Sequence, residues 1–153
     1  MSQNLSVREL AEFVCRSGDL YSRAEGRRID ALDGIRAQEF LRERRKNKYT
    51  QYSSEVAFKH DFTLANEETI LSGRADGLLI TQKGCVIEEY KACGKFPVQP
   101  NQVDVGQLMI YGAMLAMRSG LSIASLKLIY VEADTSEEKC FSYEFDNSEL
   151  KQI

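Results

Sequence analysis

The chain predicts an α/β domain with a central mixed β-sheet of about five strands flanked by helices, in the order ααβββαββ. Three observations carry this. Two segments with apolar residues at helical spacing open the sequence, three strand-like runs separated by turn residues occupy its middle, and a third helical segment leads into two further strands. At 153 residues, the chain suits a single unit, residues 1–153, large enough to bury a core without disulfides.

Ser6-Val7-Arg8-Glu9 is a capping box, and Val7, Leu10, Phe13 and Val14 follow it at helical spacing to a stop at Gly18. After a loop rich in Arg and Gly, a second helix is expected from about Ile29 to Asn47, with Ile29, Leu32, Ile35, Phe40 and Leu41 as its apolar positions. Glu55 to Leu64 reads as a strand. Asn66-Glu67-Glu68 turns the chain into a second strand reaching Ile80, and Gln82-Lys83-Gly84 turns it into a third running from Cys85 to Lys91. Gly94, Pro97 and Pro100 make 92–103 a loop. A third helix spans about Val103 to Ser119 and ends at Gly120, with Val105, Leu108, Met109, Gly112, Leu115 and Ala116 near one stripe. Strands from Leu126 to Val131 and from Cys140 to Phe145 complete the sheet. Asn147-Ser148-Glu149-Leu150 then reads as a helix start cut short, a truncated domain end or a very short last turn.

Composition narrows the class. Apolar content of 43% and charged content of 28% are ordinary for a globular domain, and no run is long and apolar enough to span a membrane. The N-terminus shows no secretory signal, so a cytoplasmic location is expected. Cys15, Cys85, Cys93 and Cys140 are scattered, and His60 is the sole histidine. Zinc ligation and an iron–sulfur cluster are therefore not expected, and four free, mostly buried thiols are. The net charge of -3 gives no overall basic footprint for nucleic acid. Its distribution is uneven: Arg42, Arg44, Arg45, Lys46 and Lys48 cluster against only Glu43, whereas 132–149 is strongly acidic. The basic run reads either as an attractor of phosphate or as a solvated helix end that complements the helix dipole.

The most informative stretch runs from Gly73 to Lys91. Asp76 sits in Gly-Arg-Ala-Asp-Gly, and Glu89-Tyr90-Lys91 follows at the end of the next strand. Strand alternation points Glu89 and Lys91 to one face and Glu88 and Tyr90 to the other. Two carboxylates and an ammonium can then converge, which suits a hard divalent cation beside a fixed positive charge. On the third helix, Gln107 and Tyr111 stand four apart and share a face.

Together, Gly73 to Gly77, Glu89-Tyr90-Lys91 and Gln107-x-x-x-Tyr111 resemble the PD-(D/E)XK nuclease superfamily, in its RecB-type exonuclease branch. With Ser-Val-Arg-Glu-Leu and Arg-Ser-Gly-Asp near the start, the chain is also similar to nuclease domains that precede DinG-like helicase modules. The resemblance implies a restriction-endonuclease-like core and a metal-dependent DNA nuclease, an exonuclease acting on single strands or ends in DNA repair or processing. It implies that Asp76 and Glu89 bind Mg²⁺ or Mn²⁺, that the Tyr90 carbonyl completes the shell, and that Lys91 orients or activates the attacking water. Gln107, Tyr111 and Arg74 are its substrate-binding candidates.

One departure concerns the early helix. Many RecB-type members carry Gly-x-x-x-His there as a further metal ligand, whereas Gly34-Ile35-Arg36-Ala37 leads here to Gln38. Gln38 and Glu55 are candidate additional ligands, and the glutamine also admits a catalytically weak nucleic-acid-binding module that guides a helicase or partner. Glu88 stands where the family usually has an apolar residue, so its face is either partly open or supplies it with a basic neighbour. Plainer readings stay open as well. Asp76 can cap a turn, Glu89 and Lys91 can form an exposed pair, Gln107 and Tyr111 can bond within the helix layer, and His60 suits a surface or edge position.

Overall fold

The computed structural model describes residues 3–15 and 30–146. Along these run β1 (Gln3–Ser6), α1 (Val7–Cys15), α2 (Ala31–Lys48), β2 (Tyr52–Leu64), β3 (Glu67–Thr81), β4 (Gly84–Cys93), α3 (Gln102–Ser119), β5 (Ile123–Glu132) and β6 (Glu138–Tyr143). The mixed α/β class is as expected, with one strand more. The added strand is β1, whose four residues carry too little alternation to announce a strand. It pairs in parallel with β3, from Gln3↔Thr69 to Ser6↔Ser72.

The helix caps follow from local chemistry. Ser6 Oγ accepts from Glu9 N at 3.0 Å while Glu9 Oε2 accepts from Ser6 N at 3.3 Å, a reciprocal capping box. Asp30 caps α2 through Leu32 N, Asn101 caps α3 through Val103 N, and Gly120 ends α3 in the left-handed conformation at φ 66°. The expected stop at Gly18, the start at Ile29 and the segment Asn147–Leu150 lie outside the described residues.

The strand order is β1-β3-β4-β5-β6, with β2 antiparallel along the other edge of β3. α3 is the crossover between the parallel strands β4 and β5. Helices cover both faces. α1 and α3 lie over one, where Ile87, Leu126 and Leu128 join Leu108, Leu115 and Val7 in the main core. α2 lies over the other, where Tyr90, Ile129 and Val131 meet Ala37 and Leu41.

Two expectations need correction. Leu32, Ile35 and Phe40 do not face the sheet; each is at least half exposed, and Ala37 and Leu41 are the buried residues of α2. The reason is that Gln38, Arg42 and Arg45 occupy its inward face and satisfy polar groups of the sheet. The thiols are also less buried than expected: Cys85 is buried, Cys15 and Cys93 are intermediate, and Cys140 is exposed.

Candidate metal centre

β3 makes the site by forking. Its edge opposite β2 pairs with β1 over residues 69–72 and with β4 over residues 77–81, which leaves Gly73 to Asp76 without a strand neighbour there. Backbone groups at such a gap need other partners. The Tyr111 hydroxyl supplies both for Arg74, accepting from its N–H and donating to its carbonyl, each at 3.0 Å. The Asp76 carboxylate closes the mouth of the fork, with Oδ2 accepting from Tyr90 N at 2.7 Å. Gly73 is required by this packing, since a Cβ there would stand 2.8 Å from the Tyr111 hydroxyl.

The β2–β3 ladder is broken at the same level. Ser54 pairs with Gly77 and Val56 with Ala75, but the rung between Glu55 and Asp76 is missing, and Glu55 is left-handed at φ 52°. Strict alternation fails here. Ala75 packs in the α1/α3 core, and Leu78 is also on that side, while Gly77 lies against the Tyr52 and Tyr90 hydroxyls under α2. The backbone twist that changes the parity therefore falls at Asp76. The left-handed Glu55 opposite it is strained for a non-glycine residue, and such strain persists only where surrounding structure holds it.

Glu89 and Lys91 share the α3 face, as expected. Glu89 is 4% exposed, and its Oε2 is buried without a hydrogen-bond partner. Burial raises its pKa well above the ordinary carboxylate value, and the neighbouring Asp76 charge adds to the rise. The Lys91 ammonium lies 3.9 Å from Glu89 Oε1 and 3.6 Å from Asp104 Oδ1. Asp104, also buried, is held in turn by Arg8 at 3.1 Å and by the Tyr130 hydroxyl at 3.4 Å. That hydroxyl is pushed up to about 12, by burial and then by the Asp104 charge, against the bond it accepts from Asn101 N.

Gln107 and Tyr111 are buried and bonded to each other at 3.3 Å, and Arg8 reaches Gln107 Oε1 at 3.4 Å. Both brace the fork from behind. Arg74 is exposed. From α2, Gln38 Nε2 donates to the Tyr90 carbonyl at 3.2 Å, the oxygen expected as a backbone ligand. Glu55 is half exposed, with Oε1 at 3.9 Å from Arg42, and Arg42 also meets Asp76 Oδ1 at 3.4 Å. His60 lies on β2 and stacks on Phe62.

Glu88 is not open. It is 4% exposed and bonded to Arg45 at 3.2 Å and to the Tyr90 hydroxyl at 2.8 Å, and Tyr52 donates to that hydroxyl at 2.6 Å. Arg45 continues to Glu138 at 2.6 Å, and Arg44 pairs with the same carboxylate. The basic run thus turns Arg42 and Arg45 inward, and the acidic segment beyond residue 132 supplies Glu138 as the partner of Arg45 and Arg44. Burial opposes the charges on Arg45 and Glu138, yet their pairing holds the arginine pKa above and the glutamate pKa below its usual value.

Arg42, Asp104 and Arg8 were not singled out as site residues from sequence. Spacing held the signal for two of them: Arg42 is one turn beyond Gln38, and Asp104 stands three residues before Gln107 on the same helical face. Arg8 offered none.

Among the described residues, no group of three or more His, Cys, Asp or Glu side chains is arranged to hold a metal ion. The oxygen donors at the fork are two carboxylates, Asp76 and Glu89, with the Tyr90 carbonyl beside them. The set fits a hard divalent cation, because the buried Glu89 Oε2 lacks a donor and its carboxylate neighbour has no proton to give when ionised.

Fold and site thus define a mixed α/β core, compatible with a restriction-endonuclease-like arrangement, with an acidic cluster and a lysine where its central strand forks. The sequence matches no protein-family profile and no curated protein. Among solved structures it is similar to that of SSO0001, with 17% identity and a TM-score of 0.65 over 98% of this chain and 72% of that one. This likeness shows a shared fold. A candidate exonuclease from Eubacterium rectale aligns at 12% identity and a TM-score of 0.42, over 94% of this chain and 56% of that one, too remote to bear on function. No described helix is long and apolar enough to cross a membrane.

Proposed function

We propose that the chain is a metal-dependent deoxyribonuclease of the PD-(D/E)XK type, an exonuclease that hydrolyses phosphodiester bonds in single strands or ends during DNA repair or processing in the cytoplasm. The observation that carries this reading is the buried Glu89 carboxylate, with an unpartnered oxygen, between Asp76 and Lys91. A buried carboxylate oxygen left without a hydrogen bond is costly unless it serves a ligand or a reaction. Asp76, Glu89 and the Tyr90 carbonyl would hold Mg²⁺ or Mn²⁺, which when bound supplies Lewis acidity and an activated water.

The chain's own residues do the rest. Lys91, held between Glu89 and Asp104, presents a compact positive charge to the phosphate oxygens as negative charge grows on them. Gln107 and Tyr111 hold the Arg74 backbone, and with it Asp76 two residues later, in fixed geometry. The exposed Arg74 side chain is the member of this group able to meet the DNA backbone. The test is cleavage of end-labelled DNA with Mg²⁺ or Mn²⁺. Activity in the native protein that is lost in both Asp76→Ala and Lys91→Ala supports the reading; no activity, or unchanged activity in the variants, refutes it.

A specific observation favours a second reading. Gln38 occupies the Tyr90 carbonyl and Arg42 contacts Asp76, and both weaken the claim of a cation on these oxygens. A catalytically weak nucleic-acid-binding module, attached to or guiding a helicase, would show salt-dependent DNA binding without cleavage.

A further inference from the structure

Arg42 is a cation with unfinished bonding. Its side chain is 17% exposed, so burial has removed most of its water, yet its guanidinium reaches the carboxylates of Asp76 and Glu55 through one terminal nitrogen and at long range: Asp76 Oδ1 at 3.4 Å and Glu55 Oε1 at 3.9 Å. Its Nε is buried without a partner. Arg45, one turn further along the same helix, is a contrast, with Nε on Glu88 and two nitrogens on Glu138. A guanidinium offers a planar fork of donors suited to two oxygens of a phosphate or carboxylate, and among the described residues Arg42 engages its carboxylates through one arm of that fork and leaves Nε unbonded.

Its position gives the spare donors a use. Arg42 stands one turn from Gln38, against the carboxylate that the proposed function assigns to the divalent cation. A dication and a guanidinium compete for the same oxygen, and the loser needs another anion. The one anion that arrives with the substrate is the phosphodiester.

We infer that Arg42 is a phosphate-binding residue of this site, parked on Asp76 until a divalent cation takes that carboxylate, whereupon its fork turns to the substrate phosphate. Bound cation and bound phosphate are thereby coupled, since Asp76 releases the arginine only when the cation engages it. The inference rests on the proposed function, from which its failure can be separated.

Two titrations on the intact protein test it, Mn²⁺ alone and inorganic phosphate in the presence of Mg²⁺, both by calorimetry. Arg42→Met is expected to bind Mn²⁺ about tenfold more tightly, because a competing charge-assisted pair is gone, and phosphate about tenfold more weakly. The opposite signs are the diagnostic. An arginine that merely supports the fold would weaken both when replaced. Arg42→Lys keeps the stem and charge if the methionine variant does not fold; it is expected to lose phosphate affinity with no loss of Mn²⁺ affinity. Unchanged Mn²⁺ and phosphate binding in Arg42→Met, or a fall in both in a folded variant, overturns the role of Arg42. A native protein that binds no Mn²⁺, or binds it equally well as Asp76→Ala, overturns the metal-site reading and this inference with it.

Discussion

Tyr111→Phe deletes one oxygen and asks a precise question of the fork. That oxygen accepts from Arg74 N–H and donates to Arg74 C=O, both at 3.0 Å, where β3 has no strand neighbour to take over. It also receives Gln107 Nε2 at 3.3 Å. A net hydrogen bond contributes about 1 kcal/mol, and leaving a buried donor or acceptor unpaired costs about 1–3 kcal/mol. Arg74 itself is exposed, so water can partly replace the lost partner, and the lower end applies. With two Arg74 backbone groups stranded at about 1 kcal/mol each, the expected loss is about 2 kcal/mol, or a fall in Tm of roughly 4–8 °C for a domain of this size. Urea denaturation followed by circular dichroism measures it, and amide exchange should speed up at Arg74. A variant within about 0.5 kcal/mol of the native protein, with Arg74 exchange unchanged, would refute the argument that this hydroxyl stands in for a missing strand.

Other outcomes follow from the same geometry. Glu89→Gln removes a desolvated charge, so it should stabilise the fold by about 1 kcal/mol at neutral pH while abolishing cleavage, a trade of activity for stability. The sign follows from linkage: a raised carboxyl pKa favours the protonated folded state, so the native protein is relatively best at low pH and loses stability as pH climbs past the ordinary carboxylate value of about 4.3. Thermal melts of both proteins from pH 4 to pH 8 should therefore diverge upward; parallel curves would remove the buried-charge argument. Arg45→Ala strands Glu88 and weakens the hold on Glu138, and urea denaturation should report a loss of about 3 kcal/mol. Gln38→His replaces an amide that donates to the Tyr90 carbonyl with an imidazole able to ligate, and should tighten Mn²⁺ binding in a calorimetric titration; an unchanged affinity would mean that this position does not reach the cation.

The sequence carried the site further than it carried α2. Period-2 alternation placed Glu89 and Lys91 together because β4 is regular, and the spacing of Gln107 and Tyr111 placed them together because α3 is. At Asp76 and Glu55 alternation misleads, since a left-handed residue and a missing rung switch the faces of both strands, and only tertiary packing decides where such a break falls. α2 was misread for a related reason. Leu32, Ile35 and Phe40 suggested the inward face, but the sheet beneath offers Glu88, Asp76 and a free carbonyl, so arginines and a glutamine turn in and the apolar residues turn out. Hydrophobic periodicity cannot anticipate a helix that docks through polar groups. The charge runs were visible, yet their mutual neutralisation through Arg44, Arg45 and Glu138 depends on partners more than ninety residues apart.

The central claim is that Asp76 and Glu89 form a divalent cation site. Crystals grown with Mn²⁺ and measured for anomalous scattering test it most directly. The account expects a peak between the two carboxylates and beside the Tyr90 carbonyl, absent in Asp76→Ala. Diffraction of good quality with no peak there, while Mn²⁺ appears elsewhere on the molecule, would contradict it.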